Sequence, residues 1–309
     1  MTRISTADSW NSALLDLMSA QKRQFDAQKQ VTDQKVATDL KGFGRSSETL
    51  TAFRAMQSKV NGYVEVGESV ASRLTSQDLA LNRIADAAKG ARQAIAEALA
   101  TGRVDGLMLD LQSRFQEAQD GLNAKHHGRF LFGGAQVETR PLAADTLADL
   151  AAAAAIDDVF VNDDLKPASR LDESTTIETG FLADELGRDL MTAFRTVQAF
   201  HQGASGPFTG QLTEAQRSFL EGVVQSFDAA HTGVVEQTAR NGSLQNRVDT
   251  HLESQKAQAD ALEGLIGERT NVDIAEALSR LQQAQTAVQA SAQVLAQLRN
   301  VSLLDLLQR

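Results

Sequence analysis

The sequence predicts a mainly α-helical fold in which long N- and C-terminal helices pair and a small β-containing insert lies between them. Two observations lead to this prediction. The 309 residues contain only three prolines, Pro141, Pro167 and Pro207, so 140 residues before them and 102 after them are proline-free. Residues 141–200 hold twelve Asp and Glu against four Lys and Arg, which is eight of the chain's ten net negative charges. Because proline interrupts helices, the ends are expected to be long helices and the acidic middle to face solvent.

The N-terminal third is predicted to hold three helices. Residues 4–38 lack Gly and Pro and place a weak apolar face at helical spacing, formed by Leu14, Leu15, Met18, Phe25 and Val36. The glycines in residues 41–45 break this helix, and Ser46 or Ser47 can cap the next one, which extends to about residue 101. A third helix is expected over about 104–124.

The pattern changes after His126-His127-Gly128. Residues 129–134 indicate a short strand that enters a glycine turn. Further short strands are predicted at 158–162, 165–171 and 175–179, separated by Asn- and Asp-rich turns. Together with an alanine run at 151–155, expected to form a helical turn or connector, they make up the insert at 129–182.

Helices are predicted again at 183–201, 211–268 and from 273 to the end. Asp273 and Glu276 have capping-box spacing for the last helix. That helix repeats apolar positions every four and three residues, which is a heptad-like pattern, at Ile274, Leu278, Leu281, Val288, Ala292 and Leu295.

Residues 281–298 carry no charge, but six of these eighteen are glutamine, which argues against a membrane span. A neutral helix of this composition suits burial among other helices in an assembly; the alternative is an ordinary core helix of a monomer. We expect the first and last helices, of about 35 residues each, to pair. A few Leu-sized contacts, at about 1.5–3 kcal/mol each, barely offset backbone ordering, so this pair is expected to be marginal without neighbouring copies.

These patterns divide the chain into three expected regions. The terminal helical region comprises 1–40 and 273–309, the helical bundle comprises 41–128 and 183–272, and the acidic insert comprises 129–182. The first residues lack the features of a cleaved signal peptide, so we expect any export to proceed without signal cleavage.

No catalytic, cofactor-binding or metal-binding set is predicted, and the chain is not expected to be an enzyme. Zero cysteine excludes disulfides and thiolate chemistry, and the net charge of −10 argues against nucleic acid as a partner. Gly42-Phe43-Gly44 and the loop 203–206 lack the remaining residues of a nucleotide fingerprint or a nucleophile elbow. His126 and His127 are expected to be solvated or interface residues, and the Asp157–Asp164 carboxylates to form acidic turns rather than a calcium site.

Residues 123–134 (NAKHHGRFLFGG), with Thr139-Arg140-Pro141, resemble the end of the long N-terminal helical region in the flagellin superfamily, and most closely its hook–filament junction branch. Residues 271–276 (NVDIAE) and 302–307 (SLLDLL) resemble the C-terminal flagellin pattern, and 4–6 suits the start of a junction protein. The family's Ser-Gly-Lys-like and Asp-Asp features after the first helix are not found here. The most specific part is the family-motif segment, represented by Asn123, Gly128, Phe130, Phe132, Gly133 and Gly134.

The resemblance implies a structural protein of the bacterial flagellum, exported unfolded and located outside the cell in the layer between hook and filament. It implies that the terminal helices pack between subunits through Leu14, Met18, Phe25, Ile274, Leu278, Leu281, Val288 and Leu295. The implied partners are further copies of the chain, a second hook-associated junction protein, flagellin subunits and a cytoplasmic export chaperone, with no membrane insertion. The chaperone would recognise the last helix through Val294, Leu295, Leu298, Leu303, Leu304 and Leu307.

Two alternatives stay open. A filament-forming flagellin would share the terminal helices but form the bulk polymer. A cytosolic coiled-coil adaptor or signalling protein would stay inside the cell with ordered termini.

Overall fold

The computed structural model describes the backbone of residues 2–307 and the side chains of residues 8–298. The helices are α1 (Thr2–Asp33), α2 (Ser47–Thr101), α3 (Leu107–Leu122), α4 (Leu147–Ala152), α5 (Ala183–Gln202), α6 (Glu214–Thr270) and α7 (Ile274–Leu307). Short 3₁₀ helices span Leu40–Ser46 and Ile156–Val159. The strands are β1 (Lys125–His126), β2 (Arg129–Phe130), β3 (Ala168–Arg170) and β4 (Thr176–Glu178). The predicted fold class, long terminal helices around a small β-containing insert, is confirmed.

The first helix ends earlier than predicted, at Asp33 rather than near residue 38. Gln34 adopts a φ of 54°, which leaves the helical conformation. The chain then runs antiparallel to the connection between α6 and α7: the Val36 amide donates to the Thr270 carbonyl at 2.8 Å, and the Val272 amide donates to the Gln34 carbonyl at 3.1 Å. The helix therefore ends where its backbone finds partners on another segment.

The two hairpins of the insert region are smaller than expected. The strand predicted at 129–134 shrinks to β2, which pairs antiparallel with β1, and β3 pairs antiparallel with β4 inside the predicted 165–171 and 175–179 segments. The strand predicted at 158–162 is wrong. The Asp158 carboxylate accepts the Ala155 amide at 2.8 Å and so begins the 3₁₀ turn of Ile156–Val159, leaving only Phe160 in a single bridge to Leu142.

The fold divides into two compact units, one formed by Met1–Lys59 with Gln258–Arg309 and one formed by Val60–Ala257. The second unit has an aromatic core in which Phe194 meets Phe115 and Phe227 edge to face, with ring centroids 5.8 and 5.0 Å apart. All three rings are buried. The region boundaries at residues 40, 128, 182 and 272 stay a prediction.

Within the described part of the chain, no helix combines the length and the hydropathy that crossing a membrane requires.

Candidate functional site

The first unit contains an antiparallel pair formed by α1 and α7. Residues 23–30 of α1 share one groove with residues 280–287 of α7, while residues 8–16 share another with residues 290–298. Residue numbers therefore increase along α1 in the direction in which they decrease along α7, so the two helices are antiparallel. The predicted pairing of the terminal helices is confirmed.

Alanines form the seam of this pair. Ala13, Ala20 and Ala27 are buried at seven-residue spacing on α1, and Ala277 and Ala284 are buried at the same spacing on α7. Larger side chains alternate with them at intervals of four and three and are half-buried. These are Leu17, Gln24 and Val31 on α1, and Leu281, Val288 and Leu295 on α7. This is a heptad seam in which every second position is small, so the two backbones can approach closely.

The apolar face that the sequence predicts for α1 is not the face that contacts α7. Leu14, Met18 and Phe25 are exposed, and Phe25 retains 67% of its accessible surface. Alanines next to these residues take the inner positions because the close helix contact has no room for a large side chain. The large residues therefore lie on the outside of the pair.

The residues predicted on α7 divide between two environments. Leu281, Val288 and Leu295 lie on the seam, whereas Ile274 and Leu278 are exposed. Val294 and Leu298 line the groove beside residues 8–16. The side chains of Leu303, Leu304 and Leu307 lie outside the described residues.

Six of the exposed apolar residues of the pair lie on one flank, which we call the outer stripe. Helical periodicity places the α1 members, Trp10, Leu14, Met18 and Phe25, to one side of the seam, and Ile274 and Leu278 of α7 flank that same side. Polar side chains line the opposite flank, including Ser12, Asp16, Gln30 and Gln283. Val294 and Leu298 also line that opposite flank, so it is mixed, whereas the outer stripe holds most of the exposed large apolar side chains of the pair.

Asn123, the first residue of the family-motif segment, joins the end of α3 to the insert. Its side-chain amide donates to the Leu142 carbonyl at 3.1 Å, and its amide oxygen accepts the Leu142 N–H at 2.9 Å. An asparagine side chain can pair with both backbone groups of one residue, whereas aspartate lacks the donor.

The next part of the segment is a tight hairpin turn followed by two buried aromatic rings. His127 and Gly128 both have positive φ, 48° and 81°, as a two-residue turn between β1 and β2 requires. Phe130 and Phe132 are buried. The Phe132 carbonyl accepts the Ala183 amide at 3.0 Å, which ties the segment to the start of α5.

Gly134 packs against Asp163 at the end of the segment, and Gly133 packs against the Gln136 carbonyl. Gly134 has a φ of 66°, and a Cβ there would overlap the Asp163 carboxylate. That carboxylate accepts the amides of Ala135 at 2.9 Å and Leu165 at 3.0 Å. The motif residues thus hold together parts of the second unit, and Asp163, which sequence reasoning placed in an acidic turn, is the missed member of this arrangement.

The other ligand candidates have internal partners. Asp157 pairs with Arg188, and Asp158 caps the 3₁₀ helix. The His126 and His127 rings stack with centroids 4.0 Å apart. Over the residues that the structure describes, no three His, Asp or Glu side chains come together as a metal site would require.

Comparisons with known proteins find a family model and solved structures that are similar to this chain. Residues 224–307 match the family model of the bacterial flagellin C-terminal helical region. A structure described as a flagellar hook-associated protein from Vibrio parahaemolyticus superposes with a TM-score of 0.60 at 14% identity, over 73% of this chain and 97% of that one. Bacillus cereus FlgL superposes with a TM-score of 0.53 at 16% identity, over 70% and 98%. A search of curated proteins finds no match.

The matched family region comprises all of α7 and the C-terminal part of α6, so it contains the α7 side of the seam and the α7 part of the outer stripe. The resemblance to the flagellin superfamily is confirmed. The two superpositions show a shared fold.

Proposed function

We propose that this chain is a structural protein of the bacterial flagellum that assembles by packing the outer stripe of its terminal helix pair against neighbouring subunits. The observation that carries this proposal is the exposure of six large apolar side chains on one flank of α1 and α7. Apolar surface of this kind on a long paired helix is favourable only when another surface covers it. The match to the flagellin C-terminal helical region covers the α7 members of this surface and supports the proposal.

The finer proposal is a place in the layer between hook and filament, outside the cell. The family-motif segment supports it, together with the shared fold of the two hook-associated structures. The partners would be further copies of this chain, a second hook-associated junction protein and flagellin. An export chaperone would bind the C-terminal part of α7, where Val294 is exposed and Leu298 half-buried.

The assembly surface is tested by replacing two members of the outer stripe, Met18→Ser with Phe25→Ser. Both side chains are exposed, so the monomer should retain its helix content and thermal midpoint while assembly is lost. Leu109→Ser with Leu79→Ser is the matched control, because those leucines are also exposed but lie in the second unit. The measurement is rescue of swimming in a strain that lacks the gene, and full rescue by Met18→Ser with Phe25→Ser would contradict the proposal.

The junction position is tested by gene deletion followed by electron microscopy. A junction protein is expected to leave hooks without filaments and to release flagellin into the medium. Hooks that still carry filaments of ordinary length would overturn the junction assignment. If filaments instead disappear because their subunit is missing, and no flagellin is released, the chain is a filament-forming flagellin.

A further inference from the structure

The hairpin formed by β1 and β2 carries positive charge in a chain whose net charge is −10. Lys125 and Arg129 are exposed on its two strands, and His127 is exposed in its turn. The Lys125 ammonium lies over the Phe130 ring, 4.3 Å from the ring centroid, and among the described residues this ring is the only partner of its charge. We call residues 125–130 the cationic hairpin.

The charge of the cationic hairpin is compensated poorly within the described part of the molecule. Arg129 Nε is 3.9 Å from the Glu138 carboxylate, and the two side chains are 71% and 80% exposed. An ion pair this open to water contributes little. Arg129 also pairs across the strands with His126, whose pKa is lowered by burial and then by the charges of His127 and Arg73. Because positive groups on facing strands repel each other, contact with an acidic surface is favourable here.

An acidic surface lies elsewhere in the second unit, where the insert meets the start of α5. Lys166 pairs with Glu185 at 2.8 Å. Arg188 pairs with both Asp157 and Asp184. Five carboxylates accompany these two bases and form what we call the acidic patch: Asp157, Asp164, Asp184, Glu185 and Asp189. The patch therefore keeps an excess of negative charge.

Three side chains at the acidic patch are open to a partner. Asp164 and Asp189 are exposed and have no ion pair in the described part of the chain. Leu165, next to Asp164, keeps 63% of its accessible surface. Protein interfaces combine an apolar centre with a polar rim, so an exposed leucine among unpaired carboxylates is typical of a contact surface.

We propose that the cationic hairpin of one copy of this chain binds the acidic patch of a second copy. The two surfaces have opposite charge, and within one molecule no described residue of the hairpin pairs with a carboxylate of the patch. Because they are different surfaces, one copy can bind a neighbour through its hairpin and another through its patch, as in a ring or a helical assembly. The proposal rests on the proposed function for the presence of neighbouring copies, and it adds a contact made by the second unit.

The test reverses the charges of one surface at a time in the full-length protein. The hairpin-reversed variant is Lys125→Glu with Arg129→Glu, and the patch-reversed variant is Asp164→Lys with Asp189→Lys. All four side chains are exposed, so both variants should keep the helix content of wild type. In sedimentation velocity at about 50 mM salt, where exposed charges are weakly screened, each variant alone should self-associate about tenfold more weakly than wild type.

An equimolar mixture of the two variants is the decisive measurement. The unchanged hairpin of the patch-reversed variant meets the unchanged patch of the hairpin-reversed variant, so the mixture should form complexes that neither variant forms alone. Raising the salt to about 0.5 M should dissociate them. A mixture that associates no more than its components, or a wild type that stays monomeric at every concentration, overturns the proposal.

The matched control is Arg83→Glu with Lys89→Glu. Both side chains are exposed on α2, and the change in net charge equals that of the hairpin-reversed variant. The control should self-associate like wild type, and an equal loss in both variants would assign the effect to net charge and overturn the proposal. If the hairpin-reversed variant does not fold, Lys125→Gln with Arg129→Gln removes the charges without reversing them and should still weaken association.

The outer stripe is tested separately, because it lies on α1 and α7 whereas the cationic hairpin and the acidic patch lie in the second unit. If Met18→Ser with Phe25→Ser loses association and the hairpin-reversed variant keeps it in full, the hairpin contact fails and the proposed function stands. If the hairpin-reversed variant loses association and the stripe variant still restores swimming, the hairpin contact stands and the role of the outer stripe fails.

Discussion

Gly134 is a position where one added methyl group has two separate costs. Its φ of 66° is unfavourable for other residues, and a Cβ would overlap the Asp163 carboxylate that holds two loop amides. We expect Gly134→Ala to lower the free energy of unfolding by about 2 kcal/mol, measured by urea denaturation.

Gly62 provides the matched control for that substitution. It lies inside α2, and a Cβ there would meet nothing within 4 Å. Gly62→Ala should therefore raise the free energy of unfolding by about 0.5–1 kcal/mol, because alanine favours the helix over glycine. Equal effects of the two changes would contradict the assigned role of Gly134.

Asp172 in the turn between β3 and β4 links stability to acid pH. The backbone hydrogen bond from Ser174, with further bonds from Thr175 and the Ser174 side chain, outweighs burial and lowers the pKa of Asp172 to about 2. Because the folded pKa is below the unfolded one, this carboxylate stabilises the fold above about pH 4 and loses that effect as pH falls towards 2. Asp172→Asn should be less stable than wild type at pH 5, and the gap should narrow between pH 4 and pH 2.

The measurement is urea denaturation at several pH values. Asp164→Asn, also on the insert, controls for the loss of one negative charge. A gap between wild type and Asp172→Asn that stays constant down to pH 2 would show that the turn hydrogen bonds do not depend on the carboxylate charge.

At the scale of helices, the α1–α7 pair depends on the small seam residues. Ala20 is fully buried, and Ser19 beside it is exposed. Ala20→Glu would place a charge in the seam, so we expect hydrogen exchange across residues 277–295 to accelerate at least tenfold. Ser19→Glu adds the same charge outside the seam and should leave exchange there unchanged; equal acceleration would mean that the seam is assigned wrongly.

The helices and strands show which parts of the fold could be predicted from local sequence patterns. Every long helix was predicted, since proline-free stretches and apolar periodicity are local properties of the chain. The 158–162 strand was predicted wrongly because the Asp158 side chain forms a local hydrogen bond that competes with strand pairing. The end of α1 was missed because its partner, the 270–272 segment, is more than 200 residues away in the sequence.

At the scale of the whole molecule, the two units differ in how much they bury. The second unit encloses large rings and aliphatic side chains, whereas the described seam of the first unit fully buries only alanines. Burial of apolar surface contributes most of the free energy that stabilises a fold. The terminal pair should therefore open far more often than the core of the second unit. In the monomer we expect amides of 281–298 to exchange at least tenfold faster than those of 84–98.

Hydrogen exchange with mass spectrometry on the monomer checks this expectation. Equal protection of both segments would show that the terminal pair is stable without neighbouring subunits. That result would contradict the expectation that assembly stabilises the pair. In assembled material the protection of 281–298 should rise.

The sequence alone determined the helical character of the ends, the acidic insert between them and the resemblance to flagellins, because composition, proline positions and short motifs are visible without contacts. Only the tertiary structure decided which face of each terminal helix is the seam. On α1 the large apolar residues and the alanines repeat at similar spacing, so the sequence pattern is consistent with either face contacting α7. The two helices pack closely, and this favours the face that carries the small alanine side chains.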